Sequence, residues 1–398
     1  EILGFGLNAS STGFIMGIDN LAAIFILPMI GVWSDRIRTP IGRRYPFILT
    51  AAPLAALAFI LMPIAASLIK PELNGIIAGN TGAFSLFMVA TAVVLLAMAI
   101  LRTPVISLMP DLIPSPLRSK ANGVINFMGG VGFIIGTFGL ALLFDINPIY
   151  PFIGGAGILI LAVVLLFITT KEPAVEDLPH PEEHLQSEEE QAVGALKGVS
   201  VVPKKYRKSL FALLGAIFLL FIAYDGIGTF FTSYAVNELG VSEGFAPTLY
   251  GLAGVTFILF AIPAGFIGAK FGRRRTIIAG ILLFGIVMML GYFLTNVTQV
   301  GIVLAISGIG WALINVNTLP MVIDTSEDER LLGTYTGLYY LASQIGSAIA
   351  PVMMGTVIDL FGSNFKTIFI TGPAFFVLGL IAMTLVTRGE AHVKEPAA

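Results

Sequence analysis

Gly31-Val-Trp-Ser-Asp35-Arg36-Ile-Arg38-Thr-Pro-Ile-Gly42-Arg43-Arg44-Tyr-Pro46-Phe47 is a short, strongly basic stretch with one acidic residue, set between two long apolar runs. Such a loop cannot lie in hydrocarbon, whereas the runs on either side, about 12–31 and 45–68, are each long enough to cross it. The stretch therefore reads as a connector between two membrane helices. Its four arginines assign it to the cytoplasmic side, where short loops carry the Lys/Arg excess. A second version, Gly265-Phe-Ile-Gly268-Ala-Lys270-Phe-Gly272-Arg273-Arg274-Arg275, predicts a chain made of two related halves.

Composition agrees with this reading. The chain is 56% hydrophobic and only 12% charged, with a mean hydropathy of +0.92, whereas a soluble domain carries about 25% charged residues. Long apolar segments separated by charged or Pro/Gly punctuation predict helices; a barrel would show short alternating strands. The formal net charge of −2 hides a strong sorting by loop and gives no pointer to nucleic acid. Cysteine is absent, which excludes disulfides and thiol chemistry.

Five spans are expected in the first half: about 12–31, 45–66, 82–108, 121–144 and 152–169. Six are expected in the second: 210–234, 248–267, 277–294, 301–323, 332–358 and 368–386. Between them lies the one long polar region, acidic first (Glu182, Glu183, Glu188 to Glu190) and then basic (Lys204, Lys205, Arg207, Lys208), which reads as a flexible cytoplasmic linker. The expected organisation is an N-terminal bundle over 1–170, a linker over 171–208, and a C-terminal bundle with its tail over 209–398. Five spans against six, together with sidedness, predict one further span ahead of Glu1 and hence six plus six. In this topology only Lys70 and Lys366 fall outside and only Arg102 falls within a span; the other basic residues are cytoplasmic.

Chemistry is sought first in the basic turns. Asp35 can accept from arginines and from the N–H groups of a helix start, so Asp35, Arg43, Arg44, Arg273 and Arg274 are candidate gating residues at the cytoplasmic face. Asp111 and Arg118 join them, because an acid ends the preceding span and a base opens the next, as Asp324 and Arg330 do in the second half. The alternative is that these arginines only set topology. Asp19, Arg102 and Asp225 are ionisable residues inside spans, where function is the default expectation; the alternative is a static ion pair. Asn20, Asn122, Asn126, Asn315, Tyr340 and Gln344 could serve a hydroxyl-rich ligand, since amides offer donor and acceptor together and rings stack on a sugar face. Tyr340 and Gln344 are four apart and share a helical face, whereas Asn315 and Asn317 do not.

The two basic turns, the six-plus-six plan and the central linker resemble the major facilitator superfamily. Within it, Ser34-Asp35-Arg36 followed by Gly42-Arg43-Arg44-Tyr45-Pro46-Phe47-Ile48 is similar to the sucrose–proton symporters and the wider glycoside–cation symporter group. Pro104 to Asp111, with Arg118 and Ala121-Asn122 beyond, resembles their fourth-to-fifth helix junction, although Val105 and Ile106 follow the proline where the sucrose carriers have an arginine. The resemblance implies an all-α membrane protein of two six-helix bundles in the plasma or bacterial inner membrane. It implies a monomer without cofactor that carries a sugar, such as a disaccharide or glucoside, with H⁺ by alternating access; Na⁺ stays open as the coupling ion. A proton-driven exporter of amphipathic compounds is the alternative in the same fold, and its cavity should be greasier and more aromatic. A membrane scaffold is a third class. Enzymatic catalysis is not expected, because His180, His184 and His392 all lie in polar cytoplasmic stretches.

Overall fold

The computed structural model describes residues 4–37, 39–113, 118–172, 204–325 and 332–390; in α1 and at the start of α4 many side chains lie outside the described residues. The described residues contain no strand. Five long helices precede residue 173: α1 (Ala9–Arg36), α2 (Tyr45–Ser67), α3 (Thr81–Leu112), α4 (Arg118–Ile134) and α5 (Tyr150–Thr169). Six follow residue 203: α6 (Lys204–Leu239), α7 (Phe245–Phe271), α8 (Arg273–Gly291), α9 (Val297–Ile323), α10 (Leu332–Leu360) and α11 (Ile368–Thr384). Among the described residues ten helical segments are long and apolar enough to cross a membrane, and α1, with 28 residues, is an eleventh long helix. Helices are the expected solution, because hydrocarbon offers no partner to an open backbone group.

The chain divides into two compact units. One comprises Glu1–Leu7 with Ala22–Ser187; the other comprises Asn8–Leu21 with Glu188–Ala398, so α1 is shared along its length.

In the first unit α2 packs against α3 and α5. Its buried face is mostly alanine (Ala51, Ala52, Ala55, Ala56), and α3 buries Ala83, Ala90 and Ala97 at seven-residue intervals. Without a hydrophobic drive between helices in lipid, small residues that let backbones approach supply the packing. Larger side chains close the end of this core beside the first basic turn: Tyr45 and Ile48 from α2, Leu101 and Leu108 from α3, and Val163 from α5. α4 runs on through a π-helical turn, Ile135–Leu140, and a 3-10 turn, Ala141–Asp145.

In the second unit α6 packs against α10 and α11, while α9 packs against α7 and α8. The α7–α9 crossing is tight: a β-carbon on Gly308 would lie 2.1 Å from the Ala253 carbonyl oxygen, and one on Gly268 would lie 1.8 Å from Asn317 Oδ1. The outer part of α1 is seated on α10 in the same way, Gly13 against the Pro351 carbonyl and Gly17 against that of Ala348. Asp359 closes this seam by accepting the Ala9 and Ser10 amides at 3.0 and 2.8 Å. These are orphan donors of the first turn of α1, so a carboxylate meets both their hydrogen-bonding need and the positive end of the helix.

Asn317 donates to the carbonyls of Ala264 (3.1 Å) and Leu313 (2.9 Å), so it cannot turn away from an intruding methyl group without losing both bonds. Gly268→Ala is expected to destabilise the protein by about 1–3 kcal/mol, the usual range for overpacking. Gly215→Ala in α6, where a β-carbon meets nothing within 4 Å, should be neutral or slightly stabilising. Thermal unfolding of the detergent-solubilised variants checks the order; equal melting temperatures would contradict the close approach at Gly268.

Candidate functional site

The first basic turn folds around a positive backbone angle. Gly42 has φ +109°, which a side chain would disfavour, and the chain enters α2 directly after it. Here Arg43 and Arg44 turn inward and both are buried. Asp111, on the last turn of α3, receives them together: Arg43 Nη2 at 2.7 Å from Oδ1 and Arg44 Nε at 3.1 Å from Oδ2. Arg44 Nη1 also donates to Ser34 Oγ on α1. The backbone of the turn is held by a residue that sequence reasoning missed. Glu172, just beyond α5, accepts the amides of Arg43 (2.9 Å), Arg44 (2.9 Å) and Tyr45 (3.3 Å). Three orphan donors at the start of α2 are thereby met by one anion. Tyr45 returns a bond to the end of α5, its hydroxyl lying 2.8 Å from the Thr170 carbonyl oxygen.

The second turn repeats the plan. Gly272 has φ +95°, α8 starts at the next residue, and Arg273 pairs with Asp324 at the end of α9. Glu390, beyond α11, accepts the amides of Arg273 (2.6 Å) and Arg274 (3.0 Å). Arg274 turns elsewhere, to the carbonyls of Met383 and Thr384. The two clamps differ in depth. Arg43 and Asp111 are 8% and 5% exposed, whereas Arg273 and Asp324 are 18% and 33% exposed. Water screens the second far more than the first. The one signal available for Glu172 and Glu390 was position, an acid just past the last helix of each half.

Within the spans the structure brings together only some of the expected residues. Asp225, midway along α6, is partly buried and meets Ser347 of α10, whose hydroxyl donates to Oδ2 at 2.5 Å. Among the described residues no cation pairs with it. Beside it Tyr224 stacks on Trp311 of α9, ring centroids 3.9 Å apart and 5° from parallel. Phe221 meets the Trp311 edge and lies against Tyr339, which meets Tyr340 in turn. These rings make a continuous aromatic run over α6, α9 and α10. Asn315 is partly buried, and its side chain makes no hydrogen bond among the described residues, whereas the Asn317 amide is taken up by backbone carbonyls. Tyr340 and Gln344 lie one turn apart on α10, both partly buried. Arg102 lies on an exposed face of α3, in the first unit. The side chains of Asp19, Asn20, Asp35, Arg118, Asn122 and Asn126 lie outside the described residues. The Tyr224–Trp311 stack and Ser347 were not singled out in the sequence, since aromatic and serine residues are ordinary in membrane helices.

Long apolar helices in two compact units, with basic clamps at helix ends and a carboxylate inside one bundle, define a polytopic membrane protein of the transporter class. The chain matches the Major Facilitator Superfamily family description over residues 2–258 and 213–398, and it belongs to that family. It is 26% identical over 351 residues to a class H tetracycline resistance protein of Pasteurella multocida, covering 85% of this chain and 78% of the relative. It is 28% identical over 288 residues to a cis,cis-muconate transport protein of Acinetobacter baylyi, covering 71% and 68%. Among solved structures it resembles a bacterial homologue of the human lysosomal transporter Spinster, with TM-score 0.69, 17% identity, and 97% and 90% of the two chains covered. The nucleoside transporter NupG gives TM-score 0.69 at 13% identity, covering 96% and 92%. The protein is thus an all-helical, multi-pass membrane transporter of the major facilitator fold. These relatives do not narrow it to the sucrose–proton symporter group.

Removing Asp111 leaves two buried guanidinium groups without their shared anion, a loss of about 3–5 kcal/mol for a broken buried pair. Asp324→Ala breaks a partly exposed pair, expected to be worth about 1 kcal/mol or less. Asp111→Ala should therefore unfold at clearly lower denaturant than Asp324→Ala, measured by tryptophan fluorescence in mixed micelles. The reverse order would contradict the difference in burial.

Proposed function

We propose that the chain is a proton-coupled secondary transporter in which Asp225 is the coupling carboxylate and the aromatic run beside it forms part of the substrate site. The observation that carries this reading is a carboxylate in the middle of a membrane helix, partly buried, held by one hydroxyl and by no cation among the described residues. A permanent charge in that place is costly unless it faces water or a partner. A carboxylate that accepts a proton from one side and releases it to the other avoids the cost in part of each cycle. A proton needs only one such group, whereas a sodium ion needs several converging oxygens.

For the substrate, the reading supported best is an amphipathic organic compound with a flat face. Phe221, Tyr224 and Tyr340 are partly exposed and offer ring surfaces, with Trp311 and Tyr339 buried behind them, and aromatic rings bind such faces by offset or edge contacts. The Asn317 amide and the Ser343 hydroxyl are committed to backbone carbonyls, which reduces the polar groups free to converge on a ligand. A relative named for tetracycline resistance is in keeping with this reading. Proton-coupled sugar uptake is the second reading. It draws on the Asn315 amide, unbonded among the described residues, on Tyr340 and Gln344 sharing one face of α10, and on the resemblance of the first basic turn to glycoside–cation symporters.

Asp225→Asn keeps the shape and loses the titratable group. In liposomes it should lower proton-driven accumulation of substrate at least about tenfold relative to its effect on exchange without a gradient, a difference of ~1.4 kcal/mol in coupling. Accumulation that still follows the imposed pH gradient in this variant would remove Asp225 from the coupling role.

A further inference from the structure

Among the described residues Asp225 is tied to α10 through a single side chain, and that side chain has two acceptors. Ser347 Oγ lies 2.5 Å from Asp225 Oδ2 and 3.0 Å from the carbonyl oxygen of Ser343, one turn earlier on α10. A serine hydroxyl has one proton and two lone pairs, so it donates to only one of these oxygens at a time. An ionised carboxylate accepts only, and Ser347 must then donate to Asp225. A protonated carboxyl can donate, and Ser347 Oγ can accept that proton's bond while its own hydrogen turns to the Ser343 carbonyl.

The backbones of α6 and α10 are close on both sides of this contact. A β-carbon on Gly346 would lie 2.7 Å from the Phe218 carbonyl oxygen, and one on Gly226 would lie 3.5 Å from the Ala350 carbonyl oxygen. The hydroxyl thus has both acceptors within hydrogen-bond distance where the two helices pack closely. Among the described residues, Tyr224 beside it on α6 and Tyr250 on α7 are the other titratable groups that feel the Asp225 charge. The spans of α9 and α11 bring no ionisable side chain.

We propose that Ser347 is the positioning residue of the coupling carboxylate, and that the Asp225–Ser347 bond reverses direction each time Asp225 gains or loses a proton. The proposal rests on the reading of Asp225 as the coupling group. No bond is made or broken apart from the proton that Asp225 exchanges with solvent; the Ser347 proton stays on its oxygen and rotates. In the ionised state the tie between α6 and α10 is charge-assisted, and in the protonated state it joins neutral groups and is weaker. Proton uptake thereby loosens α6 from α10 at the carboxylate while adding a bond within α10. Ser347 thus couples a charge on one helix to the hold of its neighbour.

The test is infrared difference spectroscopy of the full chain in liposomes between high and low pH, without substrate, alongside proton-driven accumulation. The carboxyl C=O band that Asp225→Asn abolishes is assigned to Asp225. With Ser347→Ala that band should move to higher wavenumber, because the carboxyl has lost its partner, and Ser347→Thr should return it. Accumulation should fall about tenfold in Ser347→Ala, the scale of a lost hydrogen bond to a charged group, and recover in Ser347→Thr. An Asp225 band that stays in place in Ser347→Ala would overturn the positioning role while leaving the coupling role of Asp225 intact. If Asp225→Asn removed no band, Asp225 would not titrate, and both this inference and the coupling role would fall.

Discussion

Hydrocarbon supplies no hydrogen-bond partner, so the backbone groups that this chain takes into the membrane have to be answered from within the chain. Asp111 answers two arginines at once, Glu172 answers three amides at the start of α2, and Asp359 answers two at the start of α1. The apolar surface sets which segments cross the bilayer. The placement of these few acids sets how the ends of the crossing helices are joined.

The same three-part device stands at both basic turns: a glycine with positive φ, an aspartate at the end of a later helix, and a glutamate beyond the last helix of its half. Equal construction does not give equal strength. The first clamp is nearly dry and joins α1, α2, α3 and the end of α5, so losing Asp111 takes the shared anion from two buried guanidinium groups. The second is wetter, and its Arg274 binds helix-end carbonyls instead of an acid. Charge pairs near water are easier to part, which makes the second turn the more readily reorganised of the two. Asp225 stands apart from both, because among the described residues its partner is a neutral hydroxyl, and such a group can change its charge without breaking an ion pair.

The spans were legible because a run of about twenty apolar residues has few other meanings, and Arg43, Arg44 and Arg273 stood out because arginine is rare beside such runs. Asp111 and Asp324 could be linked to them through the repeated order of acid and base along the two halves. Glu172 and Glu390 were not legible, since an acid at the edge of a polar tail is commonplace and its partners lie more than a hundred residues away. Asn315 and Asn317 show the limit more sharply: periodicity separated them onto different faces, but only the packing of α7 against α9 shows that Asn317 is committed to backbone carbonyls. Ser347 carried no signal, because a serine bonded to its own helix is the ordinary case. The substrate group was read from one cytoplasmic turn. The arginines of that turn are taken up by Asp111, so they carry no information about a ligand.

The central claim is that a proton gradient drives an organic solute through this chain. Its most direct test is transport by the full-length protein in liposomes, with pH and Na⁺ gradients imposed independently and a panel of amphipathic compounds and mono- and disaccharides on offer. Saturable movement of one class of compound that follows the pH gradient and ignores the Na⁺ gradient is expected. Movement driven by Na⁺ alone, or the same rates with neither gradient imposed, would contradict it.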